Sequence, residues 1–216
     1  MGVLYFIAIA VGAWFLGGLN GAIITSRLVY RQDIRSYGSG NAGLTNFFRT
    51  YGSRAIFLLI LIDVLKTAIP VIAGGMILET FFTFGTLSER MMIGRTWGGL
   101  FAMVGHAYPW LYQFKGGKAV LSGGTAALFL DYRVALVVFG VFLLVVILTR
   151  YVSLGSILAG LAFPVSFLIF GFGLWATLIA VLCGALIVYR HLENIGRLLI
   201  GQERRISFKR RPRDRD

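Results

Sequence analysis

The sequence predicts an all-α integral membrane protein with about seven transmembrane helices. Apolar residues make up 57% of the 216 residues and charged residues only 14%, whereas soluble domains carry about a quarter charged residues. The mean hydropathy is +0.80, and long uncharged runs recur along the chain. Because roughly 20 apolar residues in a helix cross a ~30 Å hydrocarbon layer, such runs are typical of membrane spans.

The first apolar run, 3–24, contains no charged residue and is long enough to cross the bilayer. We expect it to be retained as a span, because a signal peptide would need a basic start and no Lys or Arg precedes Arg27. A polar stretch, 27–54, follows it and separates the first span from the second.

Six further apolar segments follow. The second, 55–78, contains Asp63 and Lys66, which lie three residues apart and therefore on one helical face. Charges in lipid are costly, so we expect these two side chains to pair and brace the bundle rather than to act in catalysis. The polar region 83–95 predicts a loop before the third segment, 96–112. The fourth, 119–130, is short enough for a partly buried helix or a re-entrant piece. The others are 134–149, 157–170 and 174–189.

The basic residues are distributed unevenly over the two predicted sides. An external N-terminus and a cytoplasmic C-terminus place 17 of the 21 Lys and Arg residues on the cytoplasmic side and three outside. The net charge of +12 is therefore interpreted as topology and as contact of a basic tail with anionic lipid headgroups, not as a sign of a nucleic-acid partner. Residues 1–201 are predicted to form one membrane domain, and residues 202–216 a disordered cytoplasmic tail.

No metal or other cofactor is expected. The single cysteine, Cys183, lies in an apolar run, which leaves neither a disulfide framework nor a cysteine metal site. The two histidines are far apart in the sequence, and no carboxylate cluster accompanies either of them.

Three polar clusters fall on the predicted cytoplasmic side, and the first lies between spans one and two. It contains Gly38, Ser39, Gly40, Asn41, Thr45, Asn46 and Arg49. Glycines let successive backbone N–H groups form an anion-binding nest, and an arginine adds a bidentate fork for phosphate. A flexible connection between two spans is the alternative interpretation. The Asn and Thr residues together with Arg49 favour a phosphate site.

The second cluster begins with Gly105 and His106 and continues with Lys115, Gly116, Gly117 and Lys118. It lacks the spacing G-x-x-x-x-G-K-[ST] of a P-loop, so it predicts an anion site but not nucleotide binding. A basic turn that anchors helices at the headgroups would explain the lysines but not the adjacent glycines. His106 stands alone among apolar neighbours and is interpreted as a hydrogen-bonded packing residue.

The third cluster follows the last span. His191, Asn194 and Arg197 are spaced by three, so on a helix they share one face and can address one ligand together. Glu203 comes shortly after them. A solvated helix next to the membrane is the alternative interpretation.

In order and spacing, these clusters resemble the PlsY family of bacterial acyl-phosphate:glycerol-3-phosphate acyltransferases. The family's patterns are G-S-G-N-P-G-A-T-N with a following Arg, G-H-x-x-P, F-K-G-G-K-G and H-x-x-N-I-x-R-L-x-x-G-x-E. The Asp63–Lys66 pair and the turn 153–156 also fit the family. The chain departs from it at Ala42 in place of Pro, Leu44 in place of Ala, Thr67 in place of Gly and Ala119 in place of Gly. Ala119 would obstruct a close approach of the backbone if that position needs a positive φ.

The resemblance implies transfer of a fatty acyl group from acyl phosphate to the 1-hydroxyl of glycerol 3-phosphate, giving lysophosphatidic acid and phosphate. The reaction would serve phospholipid biosynthesis at the bacterial cytoplasmic membrane, with the site facing the cytoplasm. Ser39, Asn41 and Arg49 would hold one phosphate, and Gly116, Gly117 and Lys118 would cradle a second phosphoryl group. His191 and Asn194 would orient the acceptor, and Glu203 would tie the third cluster to the bundle.

An acyl phosphate carries its own leaving group, so positioning and stabilisation of the oxyanion can supply most of the rate without a covalent nucleophile. Either His191 acts as the general base, or it orients the acceptor while the substrate's own phosphate takes the proton. A membrane transporter of organic phosphates or other anions is the alternative function, but it would place its binding residues near the bilayer midplane. A non-catalytic scaffold would leave the polar clusters unexplained.

Overall fold

The computed structural model describes residues 2–206, and this part of the chain is folded as helices joined by short connections. The helices are α1 (Gly2–Gly17), α2 (Gly21–Tyr30), α3 (Leu44–Tyr51), α4 (Ile56–Phe81), α5 (Leu87–Ala107), α6 (Val120–Leu130), α7 (Tyr132–Thr149), α8 (Val152–Phe170), α9 (Leu174–Arg190) and α10 (Leu192–Leu199). Single 3₁₀ turns, Ile34–Ser36 and Trp110–Tyr112, lie in two of the connections. The all-helical fold predicted from the sequence is confirmed.

Within residues 2–206, four helical stretches are long and apolar enough to cross a membrane. They are Gly2–Tyr30, Ile56–Phe81, Tyr132–Thr149 and Val152–Phe170. A fifth is obtained if α9 and α10, which meet at a bend of 56°, are counted as one span. The 11 residues of α6 extend only about 16 Å at 1.5 Å per residue, which is too short for a crossing. A count of seven spans and the sides of the two termini stay predictions.

The region 83–95, which was predicted to be a loop, is helical from Leu87 onward. Thr86 begins this helix with a capping box. Its hydroxyl accepts a hydrogen bond from the backbone N–H of Glu89 at 3.2 Å, and the Glu89 carboxylate accepts one from the Thr86 N–H at 2.8 Å. The loop prediction was wrong because this local pattern outweighs the polar character of the segment.

The first apolar run is not one continuous helix, because the chain breaks at Asn20 between α1 and α2. The Asn20 side chain accepts a hydrogen bond from the N–H of Ile23 at 3.0 Å and thereby caps α2. Its amide group donates to the carbonyl of Ala42 at 3.1 Å. One buried side chain thus starts α2 and holds the glycine-rich connection that follows it.

Helix α5 contacts four other helices, α1, α4, α6 and α9, while α8 packs against α7 and α9. Glycines bring α4 and α5 close together: a Cβ atom on Gly94 would collide with the carbonyl of Gly74, and one on Gly98 with the carbonyl of Pro70. Small residues of this kind are typical of tight helix packing in membranes. This contact brings the charged residues of α4 within reach of the C-terminal end of α5.

Candidate active site

One cavity of about 840 Å³ is lined by all three polar clusters. Of the residues predicted for the site, those that line it are Ser39, Gly40, Asn41, Thr45, Asn46, Arg49, Asp63, Gly116, Lys118, His191, Asn194 and Glu203. Gly38, Lys66, Lys115 and Gly117 are not among the lining residues, and Lys115 is exposed. The fold therefore joins segments that are far apart in the sequence into one site.

A chain of hydrogen bonds links the second and third clusters. The ammonium group of Lys118 donates to Oδ1 of Asn194, and Nδ2 of Asn194 donates to Oε1 of Glu203 at 2.7 Å. Oε2 of Glu203 also accepts from Nε of Arg197 at 2.8 Å. An ammonium group has three donors, so Lys118 retains two for a ligand in the cavity. Asn194 is positioned to orient Lys118, with both ends of its amide engaged.

Lys118 and Glu203 are the charged residues at the two ends of this series of hydrogen bonds, and the pKa of each is lowered for a different reason. Burial, and next the nearby charge of Arg197, lowers the pKa of Lys118 to about 8. Burial raises the pKa of Glu203, but the hydrogen bonds from Arg197 and Asn194 lower it more, so the net shift is downward. At neutral pH the lysine is therefore a cation and the glutamate an anion.

His191 lies at the bend between α9 and α10. Its Nδ1 atom is 2.7 Å from the carbonyl oxygen of Ile187. Because a carbonyl only accepts, Nδ1 carries the proton and Nε2 has the free lone pair. The residue is 3% exposed, and burial lowers its pKa to about 4. His191 is thus a neutral imidazole at neutral pH, with Nε2 as the nitrogen available to a ligand.

The turn that contains Gly116 and Gly117 is held by backbone and side-chain hydrogen bonds. The N–H of Gly117 donates to the carbonyl of His106 at 3.1 Å. Nε of Arg190 donates to the carbonyl of Gly117 at 3.2 Å, and its guanidinium lies 5.1 Å from the centre of the Tyr108 ring. Arg190 therefore connects the third cluster to this turn. This role was not predicted from the sequence, although Arg190 stands directly before His191.

Three buried polar side chains lie beneath the turn. Nζ of Lys66 is 2.7 Å from Oδ1 of Asp63 and 2.8 Å from Nδ1 of His106. Oδ1 of Asp63 also accepts a hydrogen bond, at 3.0 Å, from the N–H of Gly21, the first residue of α2. A Cβ atom on Gly117 would collide with the ring of His106. The buried triad, defined as Asp63, Lys66 and His106, thus joins α2, α4 and α5 in direct contact with the turn.

Asn46 shapes the first cluster from inside. Its Oδ1 accepts from the N–H of Ser39 at 2.9 Å, and its Nδ2 donates to the carbonyls of Tyr37 and Asn41 at 3.0 and 3.1 Å. Because these bonds use both polar atoms of its side chain, we assign Asn46 to holding the conformation of the connection. The prediction from the sequence was that it binds phosphate. Thr45, Asn46 and Arg49 lie in α3 rather than in a loop.

Arg35, for which no role was predicted from the sequence, links the first and second clusters. Nη1 of Arg35 donates to the carbonyl of Tyr112 at 2.9 Å, and its Nη2 is 2.8 Å from Oδ2 of Asp33. The Arg35 guanidinium holds the pKa of Asp33 well below its usual range. An Asp and an Arg two residues apart match no ligand motif, so the sequence carried no signal for this link.

Beyond the polar groups, the cavity continues as an apolar arm between α6, α7, α8 and α9. It is lined by Gly123, Gly124, Val138, Phe139, Phe142, Ala159, Gly160, Phe163 and Ile187. A cavity with cationic groups at one end and apolar walls at the other suits an amphiphile with an anionic head.

Ala119 is the N-cap residue directly before α6; it has φ 57° and ψ 17° and is fully buried. This left-handed conformation costs a residue with a Cβ atom roughly 1–2 kcal/mol. The positive φ considered from the sequence is therefore present, and the chain accommodates alanine in it.

A family model described as glycerol-3-phosphate acyltransferase matches residues 7–201. Relatives named glycerol-3-phosphate acyltransferase include the protein of Finegoldia magna, which is 37% identical over 96% of this chain and 99% of its own length. The protein of Chlorobaculum parvum is 35% identical over 97% of this chain and 100% of its own length. The family match covers the first and second clusters and the third as far as Arg197.

Two crystal structures of PlsY (YgiH), an integral membrane glycerol 3-phosphate acyltransferase, share the fold. The glycerol 3-phosphate form has a TM-score of 0.81 and 33% identity, covering 94% of this chain and 96% of that chain. The lysophosphatidic acid form has a TM-score of 0.80 and 32% identity, covering 94% and 95%. The transporter alternative is not favoured by these findings. The chain belongs to the PlsY family of glycerol-3-phosphate acyltransferases, which are multi-span membrane enzymes.

Proposed function

We propose that this protein transfers a fatty acyl group from acyl phosphate to the 1-hydroxyl of glycerol 3-phosphate, giving lysophosphatidic acid and phosphate. The observation that carries the proposal is the single cavity in which two cationic clusters adjoin an apolar arm. Both substrates carry a phosphate and one carries a fatty chain, so this arrangement matches their combined chemistry. The glycerol 3-phosphate and lysophosphatidic acid forms of the similar PlsY structures support the acceptor and the product.

The residues divide into groups that contact substrate and groups that position them. Ser39, Asn41 and Arg49 hold one phosphate, and the turn ending in Lys118 holds the other through backbone N–H groups and the ammonium group. The acyl chain occupies the apolar arm. Asn194 and Glu203 position Lys118, because their own polar atoms bond to each other and to it.

The proposed reaction needs no covalent enzyme intermediate. The acceptor hydroxyl oxygen attacks the acyl carbonyl carbon, and the resulting oxyanion collapses with cleavage of the bond from carbon to phosphate oxygen. Phosphate leaves with the bonding electron pair, while the hydroxyl proton passes to Nε2 of His191 or to the leaving phosphate. The rate enhancement comes from two effects: the cavity places the two substrates together, and Lys118 and Arg49 stabilise the negative charge of the transition state.

We further propose that the cavity opens to the cytoplasm of a bacterial plasma membrane and that the N-terminus lies outside. The distribution of basic residues supports this orientation. Impermeant thiol labelling of intact cells tests it with two exposed serines, Ser36 beside the first cluster and Ser88 at the start of α5, each changed to cysteine. Only Ser88→Cys is expected to react, and the reverse pattern would contradict the orientation.

The reaction itself is tested by incubating the purified protein with palmitoyl phosphate and glycerol 3-phosphate and identifying the lipid product by mass spectrometry. We expect lysophosphatidic acid only when both substrates are present. A parallel assay measures uptake of labelled phosphate by proteoliposomes. Uptake of phosphate without formation of lysophosphatidic acid would contradict the acyltransferase and support a transporter of organic phosphates.

A further inference from the structure

The segment 202–206 follows α10 and returns to the helix bundle. The N–H of Ile206 donates to the carbonyl of Arg150 at 2.8 Å. The guanidinium of Arg205 lies 5.1 Å from the centre of the Tyr151 ring, at the start of α8. Glu203 bonds to Asn194 and to Arg197. These residues were predicted to belong to a disordered tail, but they lie against the site; the rest of that tail, 207–216, is outside the described residues.

Arg204 lies between these anchored residues and lines the cavity. The other basic groups of the cavity are engaged by protein atoms: Lys118 bonds to Asn194, Arg190 to the turn at Gly117, and Arg197 to Glu203. Among residues 2–206, neither Arg49 nor Arg204 forms a hydrogen bond or ion pair through its guanidinium. Of the arginines that line the cavity within the described residues, these are the two whose guanidinium groups no protein atom engages, and Lys118 keeps two further donors beside them.

The charge of Arg204 acts on Arg49. Burial lowers the pKa of Arg49, and the nearby charge of Arg204 lowers it further. Two like charges in one cavity repel, and a phosphate bound between them replaces the repulsion with charge-assisted hydrogen bonds. A guanidinium suits this role because its planar fork can bond two phosphate oxygens at once.

We propose that Arg204 is a substrate-binding residue that, together with Arg49, clamps a phosphoryl group of a bound substrate. The inference rests on the proposed function and adds to it a residue that lies beyond the family match, which ends at 201. The C-terminal segment thereby completes the active site. The phosphoryl group belongs either to glycerol 3-phosphate or to the acyl phosphate.

Steady-state kinetics of the full-length protein test the proposal with Arg204→Ala, Arg204→Lys and the matched control Arg205→Ala. Arg205 carries the same charge in the same segment but contacts Tyr151 instead of the cavity. Loss of one charge-assisted hydrogen bond is expected to raise KM about tenfold or more for one substrate in Arg204→Ala. The lysine variant should recover part of this loss, and Arg205→Ala should stay within about twofold of wild type. The substrate whose KM changes identifies the phosphoryl group.

Equal KM values in Arg204→Ala and Arg205→Ala for both substrates would overturn the proposal. A lower kcat with unchanged KM and a reduced melting temperature would also overturn it, because that pattern indicates a structural role. Binding of inorganic phosphate, measured by calorimetry on wild type and the same variants, does not depend on turnover. Weaker phosphate binding by Arg204→Ala alone supports the clamp even if wild type forms no lysophosphatidic acid, so failure of the reaction and failure of the clamp are distinguishable.

Discussion

At the scale of single residues, His191 combines a fixed tautomer with a pKa lowered to about 4 and a place in the cavity wall. Its type and spacing were visible in the sequence, but its tautomer was not, because the carbonyl of Ile187 one helical turn earlier determines it. The structure therefore leaves Nε2 as the His191 nitrogen with a free lone pair, the atom at which a base role of this residue would operate.

Replacing this imidazole tests whether it takes the proton. In His191→Gln we expect kcat to fall by a factor of about 10² to 10⁴, the usual contribution of a general base, while KM for glycerol 3-phosphate changes only a few-fold. Stopped assays with both substrates at saturation provide the measurement. Near-normal kcat with retained binding would assign the proton to the substrate's own phosphate.

The pH profile follows from two residues with opposite requirements. His191 must be neutral, so kcat/KM should fall as the pH drops through about 4. Lys118 must be charged to hold phosphate, so kcat/KM should also fall as the pH rises through about 8. In Lys118→Arg the residual activity should lose its alkaline limb, because arginine stays protonated. An unchanged alkaline limb in that variant would show that another group is responsible; the substrate phosphate titrates equally in both proteins.

Ala119 is a departure from the family pattern whose cost can be measured. Glycine removes the left-handed penalty of roughly 1–2 kcal/mol and adds a backbone entropy cost of about 0.5–1 kcal/mol. We therefore expect Ala119→Gly to raise the free energy of unfolding by about 0.5–1 kcal/mol, with a higher melting temperature in detergent. Ala126→Gly, at a buried position inside α6, is the control and should lower the free energy of unfolding. If both variants lower the free energy of unfolding, the backbone at Ala119 is not strained.

At the scale of elements, the turn before α6 depends on what lies beneath it. The anion site at Gly116, Gly117 and Lys118 was predicted from its glycine- and lysine-rich motif. The buried triad below it comes from α4 and α5, and its contact with the turn depends on how closely those helices pack. The roles of Arg35 and Arg190 were not predicted for a related reason. The distant segments that they hold contribute backbone carbonyls, and residue type does not reveal which carbonyl a side chain will reach.

Gly117→Ala tests the support of the turn. The added methyl group would collide with the His106 ring and with the carbonyl of Ala42, so the turn must move. We expect kcat/KM to fall at least about 10²-fold, because a displacement near 1 Å can cost that much in a positioned site. Gly196→Ala in α10 is the control, since its methyl group would meet nothing within 4 Å. Equal activity of the two variants would contradict the support role.

At the scale of the whole molecule, hydropathy predicted a helical membrane protein and the ordered motifs predicted one site. The start of α5 and the break at Asn20 were not predicted, because both depend on single capping side chains rather than on apolar runs. Segment 202–206 was assigned to a tail from its charge, whereas the N–H of Ile206 bonds to Arg150 and the guanidinium of Arg205 lies over the Tyr151 ring, both in the connection before α8. Composition predicts solvent preference but does not show which charged segment folds back on the site.

We propose that one cavity holds both phosphorylated substrates and couples their reaction. The most direct test of this proposal is the stoichiometry of phosphate release and lysophosphatidic acid formation by the purified protein given acyl phosphate with or without glycerol 3-phosphate. We expect one phosphate per lysophosphatidic acid, no phosphate release without glycerol 3-phosphate, and loss of both products in Lys118→Ala. Phosphate release without glycerol 3-phosphate, or without lysophosphatidic acid, would contradict the proposal.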